Sequence, residues 1–236
     1  MYNCTFLIKQ NIMIREAKGN MYDFVSHTWN PIKGMCYHNC SYCYMDRLSP
    51  KRKGPRLDEK ELVNAYLGSG NFIFVGSSID MFAQDIPDSW IKTVLDYCDG
   101  YNKYLFQSKN PARILKYLDH PVFERSVVCT TIETNRDYPN VMCNSPKIEE
   151  RVESMANIAD SGIKTYVTTE PLMQFDLEKM ISFIRQCKPV QVNIGRNTSR
   201  SVSIPEPTAA EVQLLAEKLG EFTKVEIKKN AKTWFK

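Results

Sequence analysis

The stretch Cys36-Tyr-His-Asn-Cys40-Ser-Tyr-Cys43 places three cysteines within eight residues of the chain. Cysteine thiolates are the usual ligands of iron–sulfur clusters, and a [4Fe-4S] cluster ordinarily takes four of them. Three thiolates on one short loop would hold three irons and leave the fourth iron without a protein ligand. An open position on a metal is a place where a substrate or a cofactor binds. The spacing therefore predicts a cluster with one open iron, held by Cys36, Cys40 and Cys43.

Zinc is an alternative occupant for the same thiols, with His38 as the fourth ligand. Structural zinc usually takes four ligands that arrive as two separated pairs, whereas these donors all lie in one tight loop. The cysteines are poor candidates for an apolar core, because the loop is polar and follows Gly34. The pattern favours the cluster and leaves zinc as the alternative.

The triplet, with the aromatic Tyr42 just before its last cysteine, resembles the signature of the radical S-adenosylmethionine (SAM) enzymes. The resemblance implies two cofactors, a [4Fe-4S] cluster and SAM, with the open iron chelating the amino and carboxylate groups of SAM. It also implies an electron donor such as flavodoxin or ferredoxin. One electron then cleaves SAM to methionine and a 5'-deoxyadenosyl radical, which abstracts hydrogen from a substrate. The spacing alone indicates only a cluster-type site.

Four further segments are His27-Thr-Trp-Asn-Pro-Ile-Lys-Gly34, Gly76-Ser-Ser-Ile-Asp-Met-Phe-Ala-Gln-Asp-Ile-Pro87, Gln107-Ser-Lys-Asn-Pro111 and Thr169-Glu-Pro-Leu172. Together they resemble a phage- and mobile-element-associated radical SAM family whose reaction is unassigned. That family is distantly similar to spore photoproduct lyase, a radical SAM enzyme of DNA repair. By this analogy the expected substrate is a nucleic acid or a nucleotide, although the resemblance does not identify it.

The composition is that of a globular protein, with 43% hydrophobic and 25% charged residues in a chain of 236. This length suits one core, so we expect a single domain over residues 1–236. No run of about 18 apolar residues is present, so no membrane span is expected. Residues 1–9 lack the apolar core of a signal peptide, and an open cluster needs a reducing compartment. We therefore expect a cytoplasmic protein.

The net charge of +4 permits a nucleic-acid partner without requiring one. Two basic stretches, 51–56 and 224–236, are candidates for such contacts, with ordinary charged surface as the alternative. The cysteines outside the triplet are scattered and form no second cluster motif; they are Cys4, Cys98, Cys129, Cys143 and Cys187.

Strand-like and helix-like segments alternate along the chain. Repeated strand–helix units predict an α/β fold with a parallel sheet and right-handed crossovers. Six such units suit a partial (β/α)6 barrel of the radical SAM type better than a complete eight-fold barrel. The predicted strands are 22–28, 72–77, 103–108, 126–133, 163–170, 190–195 and a short 225–228. The predicted helices are 58–67, with a capping box from Asp58 to Glu61, then 88–97, 112–118, 148–160, 177–187 and 208–222.

Several predicted strands carry one polar face. Side chains alternate between the two faces of a strand, so Glu133 shares a face with Thr131 and Cys129, and Glu170 shares one with Thr168. The opposite, apolar faces suit outer helices, which leaves the polar faces for the barrel interior. A polar interior costs stability unless it is wet or occupied. The pattern predicts a ligand cavity, with a polar network that satisfies itself as the alternative.

The contacts to SAM follow from the resemblance and from the strand ends. Gly76, Ser77 and Ser78 stand where the family has a glycine-rich segment that meets the SAM amino group. The usual second glycine and acidic residue are missing there, and Asp80 is the substitute acid. The remaining candidates are Gly195 in an adenine-contacting strand, Thr131 and Thr168 near the ribose or substrate, and Lys109 and Arg196 for the SAM carboxylate.

Three residues are candidates for catalysis. Glu133 and Glu170, at neighbouring strand ends, are candidate acid–base residues. Cys129, deeper on the face of Glu133, is a candidate hydrogen-atom donor to a substrate radical, with an inert buried cysteine as the alternative.

Two other functions remain open at this stage. One is a non-catalytic metal-binding or nucleic-acid-binding module, which iron and zinc analysis would separate from the enzyme. The other is a peptide-modifying radical SAM enzyme, although the sequence lacks an added cluster domain of the kind that many peptide modifiers carry.

Overall fold

The computed structural model describes residues 11–63, 65–199 and 202–236. Residues 1–10, with Cys4 and the segment predicted to lack a signal peptide, lie outside the described residues. The strands are β1 (Asn11–Ile12), β2 (Arg15–Glu16), β3 (His27–Trp29), β4 (Ile32–Lys33), β5 (Arg56–Leu57), β6 (Ala65–Tyr66), β7 (Phe72–Val75), β8 (Lys103–Gln107), β9 (Ser126–Thr131), β10 (Lys164–Thr169), β11 (Gln191–Ile194) and β12 (Lys224–Ile227). The α-helices are α1 (Met45–Leu48), α2 (Asp88–Tyr97), α3 (Pro111–Ile114), α4 (Pro139–Met142), α5 (Ile148–Asp160), α6 (Leu177–Gln186) and α7 (Ala209–Gly220). Short 3-10 helices span Glu59–Glu61, Leu115–Tyr117, Pro121–Arg125 and Lys229–Phe235.

An eight-stranded sheet forms the centre of the fold, in the order β12-β11-β10-β9-β8-β7-β3-β2. Its strands from β3 to β12 are parallel and follow one another in chain order, and β2 pairs antiparallel with β3. Among the described residues the edge strands β2 and β12 do not pair, so the barrel is open. The predicted α/β partial barrel is confirmed.

The helices pack an apolar stripe against the outside of this sheet. In α6, Met180, Ile181 and Ile184 are buried, at the three- and four-residue spacing of one helix face. At the start of α7, the Thr208 hydroxyl accepts from the Glu211 backbone and the Glu211 carboxylate accepts from the Thr208 backbone, forming a capping box. Within the described ranges, every helix is too short or too polar to span a membrane.

The barrel interior is divided along the strand direction. On β8 and β9 its amino-terminal half is apolar, so the predicted polar face does not extend to the start of these strands, where Leu105 and Val127 belong to an apolar cluster. In β8 and β9 the polar inward positions are Gln107 and Thr131, at the carboxyl ends of the strands, whereas β11 carries the buried polar residues Gln191 and Asn193 from its first position onward. The apolar cluster consists of Tyr22, Val25, Phe74, Leu105, Val127 and Cys129.

The prediction of a helix over 58–67, with its capping box, is also wrong. The chain forms a 3-10 turn at Glu59–Glu61 and then β6, and residue 64 lies outside the described residues. The Glu61 carboxylate does not fold back onto Asp58. It is buried, 2.6 Å from Lys33 Nζ and 3.0 Å from Arg15 Nη2. These tertiary ion pairs override the local pattern. The predicted strand 22–28 is likewise limited to β3.

Candidate functional site

A cavity of about 460 Å³ lies at the carboxyl ends of the parallel strands, where barrel folds bind their ligands. The three predicted metal ligands, Cys36, Cys40 and Cys43, are free thiols on its wall. The other predicted site residues on the wall are Tyr42, Gly76, Ser77, Ser78, Lys109, Thr131, Glu170 and Arg196. Four predicted site residues are buried and do not line the cavity: Cys129, Glu133, Thr168 and Gly195.

The cysteine loop, residues 36–43, is shaped by two tight turns. The Asn39 amide donates to the Cys36 carbonyl at 3.2 Å, and the Cys43 amide donates to the Cys40 carbonyl at 3.0 Å. Asn39 has a φ of 50°, in the left-handed region that asparagine tolerates better than most residues. The two turns bring all three thiols to the wall of the same cavity.

His38 is held inside this loop by Asp80. His38 Nε2 lies 2.8 Å from Asp80 Oδ2, which also accepts from Ser108 Oγ at 2.9 Å and from the Lys109 amide at 2.8 Å. Burial opposes the charge of Asp80, but these hydrogen bonds, with that of His38 first, keep its pKa below the usual range. Asp80, the predicted substitute acid for SAM, thus has its carboxylate engaged in holding the cysteine loop.

The position of His38 bears on the zinc alternative. In the part of the chain that the structure describes, no three His, Cys, Asp or Glu side chains are gathered to hold one metal ion. His38, the proposed fourth zinc ligand, is bound to Asp80. A cluster does not need its thiolates to converge on one point, because each binds a different iron.

A charged network lies buried beneath the cysteine loop. The Glu133 carboxylate accepts from the Tyr42 hydroxyl and, at 2.8 Å, from Arg151 Nη1, while Lys109 Nζ lies 3.7 Å away. Burial opposes ionisation, but Arg151 and then Lys109 hold the pKa of Glu133 below its ordinary value. Burial and the nearby Glu133 raise the pKa of Tyr42, which keeps its hydroxyl protonated as a donor. The network fixes the loop at Tyr42.

Lys109 is the predicted cation that faces the cavity from this network. Its Nζ lies 5.3 Å from the centre of the Tyr42 ring. Burial disfavours the charge, but Cys40 and Glu133 together raise the pKa of Lys109 above its ordinary value. The other predicted cation, Arg196, pairs with Glu206 and lies 4.9 Å over the Trp234 ring.

Glu170 lies on the cavity wall and is held by polar contacts of its own. Its carboxylate accepts from Asn20 Nδ2 at 2.7 Å, from Asn230 Nδ2 at 2.8 Å and from Lys228 Nζ. Gly195 lies directly against it, since a Cβ at position 195 would be 2.7 Å from Glu170 Cδ. Only glycine leaves room for the carboxylate in this position.

Cys129 lies in the apolar cluster and is 1% exposed; it does not line the cavity itself, whereas Tyr22 and Phe74 of the same cluster do. Burial raises the pKa of this thiol well above its usual value. Its surroundings are those of a packed core cysteine.

Sequence reasoning missed several residues of the site, among them Arg151, Asn20, Lys228 and Ser145. One signal for Arg151 was present, because it interrupts the apolar face of α5 that carries Ile148, Val152 and Met155. A charged residue on a buried helix face needs a partner, and here the partner is Glu133. The other three lie outside the helices and strands. No pattern marked Asn20 or Ser145, and Lys228 was noted only as part of the predicted strand 225–228 and the basic stretch 224–236.

No family model matches the sequence. No curated protein matches it either. A spore photoproduct lyase variant with bound SAM and a dinucleoside spore photoproduct superimposes with a TM-score of 0.61 at 12% identity, over 86% of this chain and 64% of that one. A second variant of that lyase gives 0.64 at 11% identity, over 89% and 78%. SuiB from Streptococcus suis gives 0.54 at 10% identity, over 85% and 48%.

These neighbours are radical SAM enzymes, so the chain has the fold of that class and the predicted resemblance is confirmed in fold. Identities this low establish fold alone. The chain spans 64% of the length of the first lyase structure. The more specific resemblance to a phage-associated family has no support from these comparisons.

Proposed function

We propose that this protein is a radical SAM enzyme. The observation that carries the proposal is a cavity at the strand ends with three free thiols on one wall. Cys36, Cys40 and Cys43 would hold a [4Fe-4S] cluster, and SAM would occupy the cavity beside it. Together they would supply reductive cleavage of SAM and abstraction of hydrogen from a substrate, with flavodoxin or ferredoxin as the expected donor class. Support comes from two fold neighbours whose structures contain bound SAM.

The polar groups of the cavity suit the parts of SAM. Lys109 presents a buried cation, which pairs with a carboxylate. Gly76 turns the chain with a φ of 78°, bringing Ser77 and Ser78 to the wall. Ser78 Oγ is buried without a hydrogen-bond partner among the described residues, so a ligand's polar group would satisfy it.

Metal analysis tests this proposal against the module reading. Protein purified without oxygen should be brown and contain about four irons per chain, with matching sulfide. A colourless protein with one tightly bound zinc would contradict the proposal and favour a non-catalytic binding module.

We further propose that the substrate is a nucleic acid or a nucleotide. Tyr44 and Leu48 are exposed on the cavity rim. Beside them, Arg47, Lys51 and Lys53 are exposed and take part in none of the ion pairs formed by the described residues. Aromatic side chains next to cations bind unpaired bases and their phosphates. The dinucleoside in one lyase neighbour adds support by analogy.

Binding of a fluorescent single-stranded oligonucleotide, measured over a range of salt concentrations, tests this substrate class. Replacing Lys51 and Lys53 together by Ala should weaken binding and reduce the salt slope by about 1 to 2. Lys92→Ala is the matched control, because Lys92 lies on α2 in a pair with Asp96, away from the cavity. No binding, or equal binding by all variants, would contradict the nucleic-acid proposal and leave the cluster proposal standing.

A further inference from the structure

A segment between β9 and α5, residues 139–145, clasps the middle of the cysteine loop. The Ser41 amide donates to the Val141 carbonyl at 3.0 Å, and the Asn144 amide donates to the His38 carbonyl at 3.0 Å. Asn144 Nδ2 also donates to the Tyr37 carbonyl at 3.0 Å. The cysteine loop is therefore positioned by a part of the chain about a hundred residues away, which we call the clasp.

The clasp also reaches the sulfur of a predicted cluster ligand. Ser145 Oγ lies 3.2 Å from Cys40 Sγ, and the Met142 carbonyl oxygen lies 3.8 Å from the same sulfur. Cys40 is buried, so water has little access to it. A metal-bound cysteine is a thiolate, which has no proton and can only accept hydrogen bonds. A carbonyl oxygen also only accepts, so it cannot donate a hydrogen bond to the thiolate. Of these two contacts, only the Ser145 hydroxyl can donate a hydrogen bond to the bound thiolate.

The base of the clasp is held rigidly. Arg151 Nε donates to the Pro146 carbonyl at 2.9 Å, next to Ser145, and Arg151 Nη1 donates to the Thr131 carbonyl at 2.9 Å and to Glu133. Arg151 is fully buried. The network that fixes the cysteine loop at Tyr42 thus also fixes the backbone beside Ser145, and the hydroxyl is held in place.

We propose that Ser145 is a positioning residue that donates a hydrogen bond to the Cys40 thiolate and raises the reduction potential of the cluster. The proposal rests on the proposed cluster. Hydrogen bonds to the sulfurs are among the factors that set the potential of such clusters. A donor stabilises the more electron-rich, reduced state, so electron uptake becomes easier.

The test compares Ser145→Thr, which keeps a hydroxyl, with Ser145→Val, which has the same shape without one. The reduced fraction of the cluster is followed by electron paramagnetic resonance during a redox titration. The Thr variant should titrate like the wild type. At a fixed potential the Val variant should show an about threefold lower ratio of reduced to oxidised cluster, a shift of roughly 30 mV to more negative potential.

Ser161→Ala is the matched control, because the exposed Ser161 hydroxyl donates to the Asn157 carbonyl at the end of α5, outside the cavity and the clasp. Its potential should not change. Equal potentials in the Thr and Val variants would overturn the proposal. If the Val variant assembles no cluster, Ser145→Ala replaces it in the titration. If the Ala variant also assembles no cluster while the Thr variant does, the hydroxyl is required to position Cys40. If the Thr, Val and Ala variants all assemble no cluster, Ser145 has only a packing role and the proposal is contradicted.

The outcome separates this proposal from the proposed function. A wild-type protein that binds no iron contradicts both. A wild-type cluster whose potential does not depend on the hydroxyl contradicts only the role of Ser145.

Discussion

Two carboxylates at neighbouring strand ends, Glu133 after β9 and Glu170 after β10, have different surroundings. Glu133 is fully buried between Arg151, Lys109 and the Tyr42 hydroxyl. Glu170 lines the cavity and is held by two asparagines and a lysine. The first joins the cysteine loop to α5. The second joins the segment before β3 to the segment after β12, across the open side of the barrel.

The difference teaches what a strand position does and does not determine. Alternation places both carboxylates on inward faces, but the helix or loop that packs beside each strand decides how many cations surround the carboxylate and whether it can be reached from the cavity. Glu133 is thus part of the scaffold that holds the cysteine loop, whereas Glu170 remains accessible from the cavity and is the better candidate for contact with a ligand.

Of the predicted effects, the largest is the loss in free energy of unfolding caused by Glu133→Gln. Removing the carboxylate leaves Arg151 buried and unpaired, and breaking a buried pair in this way costs about 3–5 kcal/mol. Glu170→Gln is the matched comparison. It removes the charged partner of Lys228, but Glu170 is 18% exposed there and Gln keeps polar contacts to both asparagines, so a smaller loss of about 2 kcal/mol is expected. Urea unfolding of the metal-free proteins measures both, and equal losses would contradict the distinction between the two sites.

A pH series sharpens the same comparison. The folded-state pKa of Glu133 is lowered, so its contribution to the free energy of unfolding is complete above the unfolded value of about 4.3. That contribution is lost as the pH falls through the lower folded-state value. The stability difference between wild type and Glu133→Gln should therefore shrink progressively below about pH 4.3. A difference that stays constant with pH would show that Glu133 is not ionised in the folded protein.

The smallest predicted effect is that of Cys129→Ala on stability and turnover. Because Cys129 packs in the apolar cluster and does not line the cavity, the variant should lose on the order of 1 kcal/mol of stability. SAM cleavage and the final product should not change. An altered product with normal SAM cleavage would instead support a hydrogen-donor role for this thiol.

The elements with strong periodicity were predictable from sequence. Helix α5 was predicted with its observed bounds, and strands β8 to β11 to within two residues, because each combines a clear apolar pattern with turn residues. The cysteine triplet was recognisable because its spacing is local. The structure of residues 58–67 could not be predicted from the sequence. Its local pattern is that of a helix, but Glu61 forms ion pairs with Lys33 and Arg15, which are distant in sequence.

The supports of the site were the least predictable part. Ser145 and Asn144 reach the cysteine loop over about a hundred residues, and Asn20 reaches Glu170 over 150. Side-chain contacts of this kind depend on how the chain closes in space, and one sequence carries no local signal for them. The apolar inward positions at the start of β8 and β9 were also missed, because the polar character of the strand ends was extended to the whole inward face.

The central claim, a cluster held by three cysteines that cleaves SAM, is tested most directly by product analysis. Anaerobically reduced protein is incubated with SAM, and 5'-deoxyadenosine is measured by chromatography. The wild type should release it, and replacing Cys36, Cys40 or Cys43 singly by Ala should abolish release, because each thiolate would carry one iron. Cys98→Ala, which removes a free cysteine after α2 that lies outside the cavity and the clasp, should leave release unchanged. Full release by any one of the three triplet variants, or none by an iron-loaded wild type, would contradict the account.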